Sequence, residues 1–326
     1  GDVYKRQVDY ANAHGVDVII TDHHELPPTL PDAYAIVNSH LLPAGHPLET
    51  LPGVGVAYKL AEELYRNTGS ADEVAKYLDL VALGIVADVA VQTGDTRYLL
   101  QRGLEALRST PRLGLQELLR LTDINPLQIT EDHIGFNLGP RLNALGRLDD
   151  ASSIVEFFTT TDLSRARILA SQFEALNARR KMLCDQVFAA AQAEIEKDPS
   201  LLDYAALVLA NPRWPAGVIG IVANRLVERY HRPAILITTP PEGPGRGSAR
   251  SVAGCHITDA IATQHALLLS FGGHEMAAGL AIDPEYIPAF RRGLSQAVIA
   301  QVGEAALEST LQIDRYLPLA LSLIHI

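Results

Sequence analysis

The chain has 326 residues, of which 48% are hydrophobic and 20% are charged. This composition is typical of a globular protein of about two domains and excludes a disordered or low-complexity chain. No stretch approaches the roughly 20 uninterrupted apolar residues of a membrane span, so we expect no membrane partner. The net charge of −11 argues against indiscriminate nucleic-acid binding but leaves room for a local basic track. Two cysteines, Cys184 and Cys255, are too few for a disulfide framework and favour a reducing cytoplasm.

The two ends of the chain can encode each other's reverse complement. Residues 2–7 can be written GAT GTG TAT AAG AGA CAG, whose reverse complement translates as residues 321–326. Unrelated protein termini are not expected to do this, and the string resembles a transposase adaptor used in sequencing libraries. We therefore expect both ends to be artefacts and the chain to be a fragment cut on both sides.

Short apolar runs alternate with helical patterns in the first part of the chain, residues 8–150. Residues 16–20 and 35–37 are predicted strands, the first of them buried. The turn that begins at Gly53 opens an amphipathic helix to Tyr65, and residues 72–87 continue in helical period. This alternation predicts an α/β fold.

Asp22, His23 and His24 follow the first predicted strand directly. In open α/β sheets, ligands bind at the carboxyl ends of the strands, and adjacent histidines on an extended backbone point to opposite sides. The triplet is therefore either a set of metal ligands or a surface turn that holds two histidines. Asp88, which ends the apolar run 80–87, is either a helix cap or a further ligand. Mixed Asp/His sites suit Mn²⁺, Mg²⁺ or Zn²⁺.

The segment from Gly139 to Asp150 forms a second cluster. Arg141 and Arg147 carry planar guanidinium groups that match phosphate oxygens, and the glycines allow close backbone approach. The alternative is a loop whose arginines form salt bridges with Asp149 and Asp150.

A helical connector and a second α/β unit follow. Residues 151–197 contain no proline or glycine and predict long helices that end at Asp198. Residues 205–209 and 234–237 are predicted strands, and residues 240–247 a loop. Residues 214–223 predict a turn and the start of a helix.

The third cluster lies in this second unit. Ser248, Arg250 and Ser251 stand among glycines and suit an anion cradle. Gly272 and Gly273 precede His274 and a stretch compatible with a helix, which predicts backbone amides at a helix N-terminus facing phosphate. A purely structural histidine is the alternative.

Together these segments resemble the DHH phosphoesterase superfamily, in particular its bacterial single-strand DNA exonucleases. The resemblance extends from about Val8 to Ala320 and is carried by segments in family order: residues 22–24, 51–57, 83–89, 139–150, 214–223, 248–251 and 271–279. It implies an α/β fold in which a DHH-type parallel-sheet domain is joined by long helices to a smaller α/β DHH-associated domain. The implied boundaries are 8–150 for the DHH domain, 151–198 for the connector, 199–305 for the associated domain and 306–320 for the start of a truncated oligonucleotide-binding domain.

The resemblance also implies a role for each cluster. Two Mn²⁺ or Mg²⁺ ions would be held by the catalytic group Asp22, His23, His24 and Asp88. Arg141, Asn143 and Arg147 would approach the nucleic-acid backbone. The phosphate would be held by Ser248, Arg250, Ser251, Gly272, Gly273 and His274.

Two departures from the family pattern affect these expectations. Ala249 stands where relatives usually carry glycine, and its methyl group is expected to crowd the cradle slightly. The family's Asp-x-Asp motif is absent before Asp22. The fragment itself is therefore expected to bind little metal and to be nearly inactive.

The function implied by the resemblance is metal-dependent 5′-to-3′ hydrolysis of single-stranded DNA in repair and recombination. Single-strand-binding and helicase proteins are the expected protein partners. One alternative is a smaller DHH phosphodiesterase acting on short oligoribonucleotides or cyclic dinucleotides, and the long linking helices favour the exonuclease. The other is an inactive nucleic-acid-binding scaffold, which the retained ligands disfavour but the missing upstream carboxylates leave open.

Overall fold

The computed structural model describes residues 2–27, 29–303 and 316, without the side chains of residues 2–4. The described residues form two compact units, which divide between residues 178 and 179. Among the described residues, no helix combines the length and apolarity needed to cross a membrane.

The first unit is mostly helical and contains one parallel strand pair. Strand β1 (Ile19–Asp22) pairs with β2 (Ala35–Asn38), so that Asp22 lies opposite Asn38 at the carboxyl edge. Short 3-10 segments occupy residues 39–41, 71–77 and 126–128, and a π-helix occupies His133–Leu138. The α-helices are α1 (Asp2–Ala13), α2 (Gly53–Asn67), α3 (Leu78–Ala87), α4 (Gly94–Arg108), α5 (Leu113–Leu121), α6 (Gly139–Leu148), α7 (Ser153–Thr159) and the first part of α8 (Leu163–Lys197).

Helix α3 lies at the centre of this unit's core. Its sequence is apolar on nearly every side, which is typical of a helix surrounded by protein, and Val81, Ala82 and Ile85 are almost fully buried. Gly103 of α4 allows the two helices to approach closely. A Cβ atom at this position would lie 2.5 Å from the carbonyl oxygen of Leu78.

A buried ion pair fixes the start of α3. Asp79, which is 1% exposed, accepts hydrogen bonds on Oδ2 from the Thr110 hydroxyl at 2.7 Å and from Arg112 Nε at 3.0 Å. The guanidinium of Arg112 also donates to the carbonyl oxygens of Phe158 at 3.0 Å and Lys76 at 3.2 Å. The pair therefore ties α3 to the segment before α5 and to α7.

We expect Arg112→Ala to lower the free energy of unfolding by about 3 kcal/mol or more, because it leaves the Asp79 carboxylate buried without its counter-charge. Arg112→Lys should recover only part of this loss, since an ammonium group lacks the planar fork. Urea unfolding monitored by circular dichroism measures both. The control is Arg102→Ala, which removes an exposed pair with Glu105 and should cost less than about 1 kcal/mol. Equal losses for the two alanine variants would contradict the prediction.

The second unit is built on a five-stranded sheet with the order β3-β4-β5-β7-β6. β3 (Leu207–Asn211) and β4 (Ala234–Thr238) are parallel and are joined through α9 (Ala216–Tyr230). The remaining strands pair antiparallel: β5 (Gly245–Arg250), β6 (Leu268–Gly273) and β7 (Ala277–Ile282). Helix α10 (Ile257–Ala262) precedes β6, and α11 (Ile287–Val302) packs its buried face, which carries Phe290, Leu294 and Val298, into the core.

The predicted fold class is confirmed. Both units mix helices with parallel strands, and the segment predicted as a helical connector contains α7 and the 35-residue α8. The two compact units divide within α8, at residues 178 and 179. The predicted domain boundaries stay predictions. The expected oligonucleotide-binding segment, residues 306–320, and the adaptor-like residues 321–326 lie outside the described residues, apart from Tyr316.

Two local predictions were wrong. The first strand begins at Ile19 rather than Val16, because the amide of Val16 bonds to the carbonyl oxygen of Ala11 in the turn that ends α1. Moreover, β1 is not buried: Ile19 is 58% exposed, since β2 is the strand's sole partner among the described residues. In the second unit, the predicted loop 240–247 ends early, because residues from Gly245 onward pair with β4 on one side and β7 on the other.

Candidate functional site

Asp22 organises the turn at the carboxyl end of β1. Its Oδ1 accepts hydrogen bonds from the amide of His23 at 2.8 Å, the amide of His24 at 3.3 Å and His24 Nδ1 at 2.7 Å. Partial burial raises the pKa of Asp22, but these hydrogen bonds outweigh it and hold the pKa below its usual value. The carboxylate is therefore charged at neutral pH, with Oδ2 outside this set of bonds.

His23 and Asp88 come together from distant parts of the sequence. His23 Nδ1 lies 3.6 Å from Asp88 Oδ2, which is too long for a hydrogen bond. Two ligands about 2.1 Å from one cation can lie up to about 4.2 Å apart, so the separation suits a shared ion. Donor atoms of Asp22, His23 and His24 all lie within 4.8 Å of one another. Asp22, His23 and His24 therefore form one cluster in the first unit, and Asp88 approaches it through His23.

Asp88 occupies an electrostatically unfavourable position for a carboxylate. It directly follows α3 as the C-terminal capping residue, where unpaired carbonyl groups already create negative potential. The sequence left open whether this residue caps a helix or binds a ligand. A carboxylate at a helix C-terminus does not stabilise that helix, so a cation is the more favourable partner for this group.

The residue after Asp88 has a strained backbone. Val89 has a φ of 55°, in the left-handed region, and its side chain is 87% exposed. The amide of Val89 bonds to Val86 at 3.1 Å and that of Ala90 bonds to Ile85 at 3.2 Å, as in a Schellman motif. Glycine usually occupies this position, because a β-branched residue is strained there. Such strain is often found beside functional groups.

Val89→Gly is expected to raise the free energy of unfolding by about 1 kcal/mol, because the left-handed conformation costs an L-residue roughly 1–2 kcal/mol. The exposed valine side chain has little packing to lose. Urea unfolding measures the change. Val91→Gly is the matched control: Val91 is 62% exposed and has no positive φ, so this variant should not be stabilised. A similar gain in both variants would exclude backbone strain as the cause.

Asn38 is a site residue that the sequence analysis missed. It is 7% exposed, and its Nδ2 donates to the carbonyl oxygen of His24 at 3.0 Å. Its Oδ1 accepts from the amide of His40 at 2.8 Å. Asn38, on the neighbouring strand, thus fixes the backbone of the turn formed by residues 22–24, called the histidine turn below. A polar residue directly after the second predicted strand was the available signal.

A pocket of about 550 Å³ opens beside His23 and Asp88. Gly53, the first residue of α2, leaves room for the imidazole, since a Cβ atom there would lie 3.1 Å from His23 Cδ2. The pocket is also lined by Ser39, His40, Glu49, Thr50, Pro52 and Val89, among others. It is large enough to admit a phosphate group next to the candidate ligands.

The second predicted cluster forms a helix rather than a loop. Arg141 of α6 pairs with Glu174 of α8 and donates to the carbonyl oxygen of Asn137 at 2.7 Å. The salt-bridge alternative therefore holds for Arg141, although with Glu174 as its partner. Asn143 and Arg147 lie one turn apart on α6 and are exposed.

Ser248 and Arg250 form a cradle in the second unit. They lie on the same face of β5, and Arg250 Nη1 donates to Ser248 Oγ at 3.2 Å. Gly220 of α9 leaves space beside them: a Cβ atom at Gly220 would lie 2.7 Å from Ser248 Oγ and 2.9 Å from Arg250 Nη2. Ala249 was expected to crowd the cradle, but it is fully buried on the opposite face of the strand, because side chains alternate along β5.

Gly220→Ala is expected to displace Ser248 and Arg250, and so to lose the gain of about 0.5–1 kcal/mol in the free energy of unfolding that alanine normally has over glycine inside a helix. Thermal or urea unfolding tests this. Gly146→Ala in α6 is the control, because an added Cβ there would meet no atom within 4 Å and should show the full gain. An equal gain in both variants would contradict the cradle geometry.

Two expectations for this cluster were wrong. Ser251 is 4% exposed and donates its hydroxyl to the carbonyl oxygen of Cys255 at 2.6 Å, so it holds a turn rather than facing a ligand. Gly272 and Gly273 end strand β6 and do not begin a helix. Gly273 has a φ of 155°, and a Cβ atom added there would lie 2.3 Å from the carbonyl oxygen of Ala277. The absence of a side chain at this position therefore allows a tight hairpin. The amide of His274 closes that hairpin on Ala277 at 2.8 Å.

Comparison with protein-family models gives two matches. The model described as "DHH family, N-terminal domain" matches residues 2–85, and the "DHHA1 domain" model matches residues 203–300. They cover the segments that carry the histidine turn and the cradle, respectively.

The similarity to individual relatives extends over most of the chain. The single-stranded-DNA-specific exonuclease RecJ of Escherichia coli (strain K12) is 37% identical over 325 residues, covering 94% of this chain and 56% of the relative. A crystal structure of exonuclease RecJ bound to manganese is 31% identical with a TM-score of 0.75, covering 94% of this chain and 76% of the other. RecJ from Thermus thermophilus in complex with Mg²⁺ is 32% identical with a TM-score of 0.75, covering 88% of this chain and 42% of the other. The chain thus spans little more than half the length of the curated relative.

Proposed function

Because the chain belongs to the RecJ family of DHH-domain proteins, we propose that it is part of a metal-dependent exonuclease that hydrolyses single-stranded DNA from its 5′ end. The observation that carries the proposal is the approach of His23 to Asp88, 3.6 Å apart beside the Asp22–His24 turn. The names of the relatives, which specify single-stranded DNA, supply the substrate class.

The donor set fits Mn²⁺ or Mg²⁺. It combines carboxylate and imidazole groups without cysteine, and carboxylate oxygens are ligands that both ions accept. RecJ structures have been solved with each of these ions. When bound, such cations lower the pKa of water and stabilise charge that develops on the phosphodiester.

The protein's own groups hold this arrangement in place. Asp22 Oδ1 engages His24 Nδ1 and so fixes the orientation of that ring beside the candidate ligands. Asn38 fixes the carbonyl group of His24, and Gly53 leaves space for the ring of His23. His23 and Asp88, which directly follow β1 and α3, line the pocket beside this arrangement.

The cradle in the second unit would bind the terminal phosphate. Ser248 supplies a hydroxyl, Arg250 a guanidinium, and His274 an imidazole at the β6–β7 hairpin. The half-buried Arg250 and the space left by Gly220 support this assignment. Binding at a terminal phosphate would account for cleavage from the 5′ end. The exposed Asn143 and Arg147 would contact the backbone of the strand.

Partners and location form part of the same proposal. Single strands arise when duplex DNA is unwound, so a helicase would supply the substrate and a single-strand-binding protein would cover it, as in repair and recombination. Burial raises the pKa of the Cys255 thiol, which keeps it protonated and unreactive. A buried thiol of this kind suits a reducing location such as the cytoplasm.

The activity test uses the full-length protein of which this chain is proposed to be part, with a 3′-labelled single strand and Mn²⁺. Asp88→Asn should reduce both Mn²⁺ affinity and the rate of degradation by at least about 100-fold, since even outer-shell changes cost 10–100-fold. Calorimetry and gel analysis measure the two effects. Asp95→Asn, an exposed carboxylate in the first turn of α4, is the control and should change neither.

The substrate panel separates the alternatives. The proposed exonuclease degrades long single strands and spares duplex DNA. Preference for dinucleotides would instead favour a small phosphodiesterase, and tight binding without hydrolysis would favour a scaffold. The 326-residue chain tested alone is expected to bind little metal and to show almost no activity, because two cations require more carboxylates for charge balance than Asp22 and Asp88 supply.

A further inference from the structure

A large aromatic side chain is exposed on the π-helix of the first unit. Phe136 is 79% exposed, whereas Ile134 and Leu138, two residues to either side, are fully buried. The apolar face of this helix is therefore already packed, and Phe136 points away from it. Phe136 is among the most exposed of the large hydrophobic residues that the structure describes, and its ring offers a large apolar face to a ligand.

The π-helix lies directly on the last turn of α3. A Cβ atom at Gly135 would lie 3.5 Å from Val86 Cγ1, and one at Gly139 would lie 3.8 Å from Ala87 Cβ. These contacts place the π-helix beside the residues that immediately precede Asp88. π-helical turns are rare and are frequently found at functional sites.

The helix that follows the π-helix adds a positive charge to this part of the unit. Helix α6 follows the π-helix without interruption and carries the exposed Asn143 and Arg147. The combination of an exposed ring with a guanidinium and an amide is typical of surfaces that hold single strands, where rings stack on bases and cations contact phosphates.

We propose that Phe136 stacks on a nucleobase of the single strand next to the metal site. This inference rests on the proposed function and adds a positioning residue to it. Stacking on the face of a base tolerates any sequence. It also requires a base that is not already stacked within a duplex. Phe136 would therefore hold the strand in position and favour single-stranded substrate.

The test compares binding of two 5′-phosphorylated, fluorescently labelled strands to the purified chain. One strand is oligothymidine and the other has the same backbone with abasic residues. Fluorescence anisotropy in EDTA measures affinity without hydrolysis. Phe136→Ala should weaken binding of oligothymidine by on the order of tenfold, with the abasic strand unaffected. Phe136→Trp should restore binding, whereas Phe136→Leu, which is apolar but has no ring, should not.

Leu127→Ala is the matched control, because Leu127 is 74% exposed in the same unit and should leave both affinities unchanged. Circular dichroism verifies that every variant is folded. If Phe136→Ala binds oligothymidine like the wild type, or loses affinity equally for both strands, the stacking role is overturned while the proposed function stands. If the wild-type chain binds neither strand, the inference and the proposed function both fail.

Discussion

Negative charge is concentrated where β1 and α3 both end. Asp22 and Asp88 bring two carboxylates to this point, and the carbonyl groups at the end of α3 add the negative end of the helix dipole. Hydrogen bonds from the histidine turn stabilise the charge on one oxygen of Asp22 but do not reach Asp88. His23, 3.6 Å from Asp88, stands at the distance that a shared cation bridges. The need to balance this negative charge is the constraint that makes this part of the first unit a candidate cation site.

The rest of the first unit fixes the position of α3, and with it the position of Asp88. The helix is buried on nearly every side, and the Asp79–Arg112 pair anchors its beginning. The backbone just after its C-terminal end is strained, because Val89 adopts a left-handed conformation that is more favourable for glycine. An anchored beginning and a strained residue just beyond the C-cap fit the proposal that the capping residue, Asp88, binds a ligand.

The main structural feature of the second unit's candidate site is the space left around the polar side chains of the cradle. Gly220 keeps a helix from filling the volume beside Ser248 and Arg250. Alternation along β5 places the side chain of Ala249 in the core, so the methyl group that departs from the family pattern does not face the cradle. The polar groups that line the cradle and the apolar groups that stabilise the sheet therefore come from the same strand.

The sequence by itself determined the α/β class and the long helix after residue 151, because periodicity is a local property. It offered Asp22, His23, His24 and Asp88 as candidate ligands only together with the family resemblance, since their spacing alone left a surface turn and a helix cap open. Tertiary structure decided what local pattern could not express. It buried Ser251, paired Arg141 with Glu174 and turned Gly272 and Gly273 into a hairpin. It also recruited Asn38 and exposed Phe136. Each of these outcomes depends on which distant segment packs against the residue, and spacing along the chain does not carry that information.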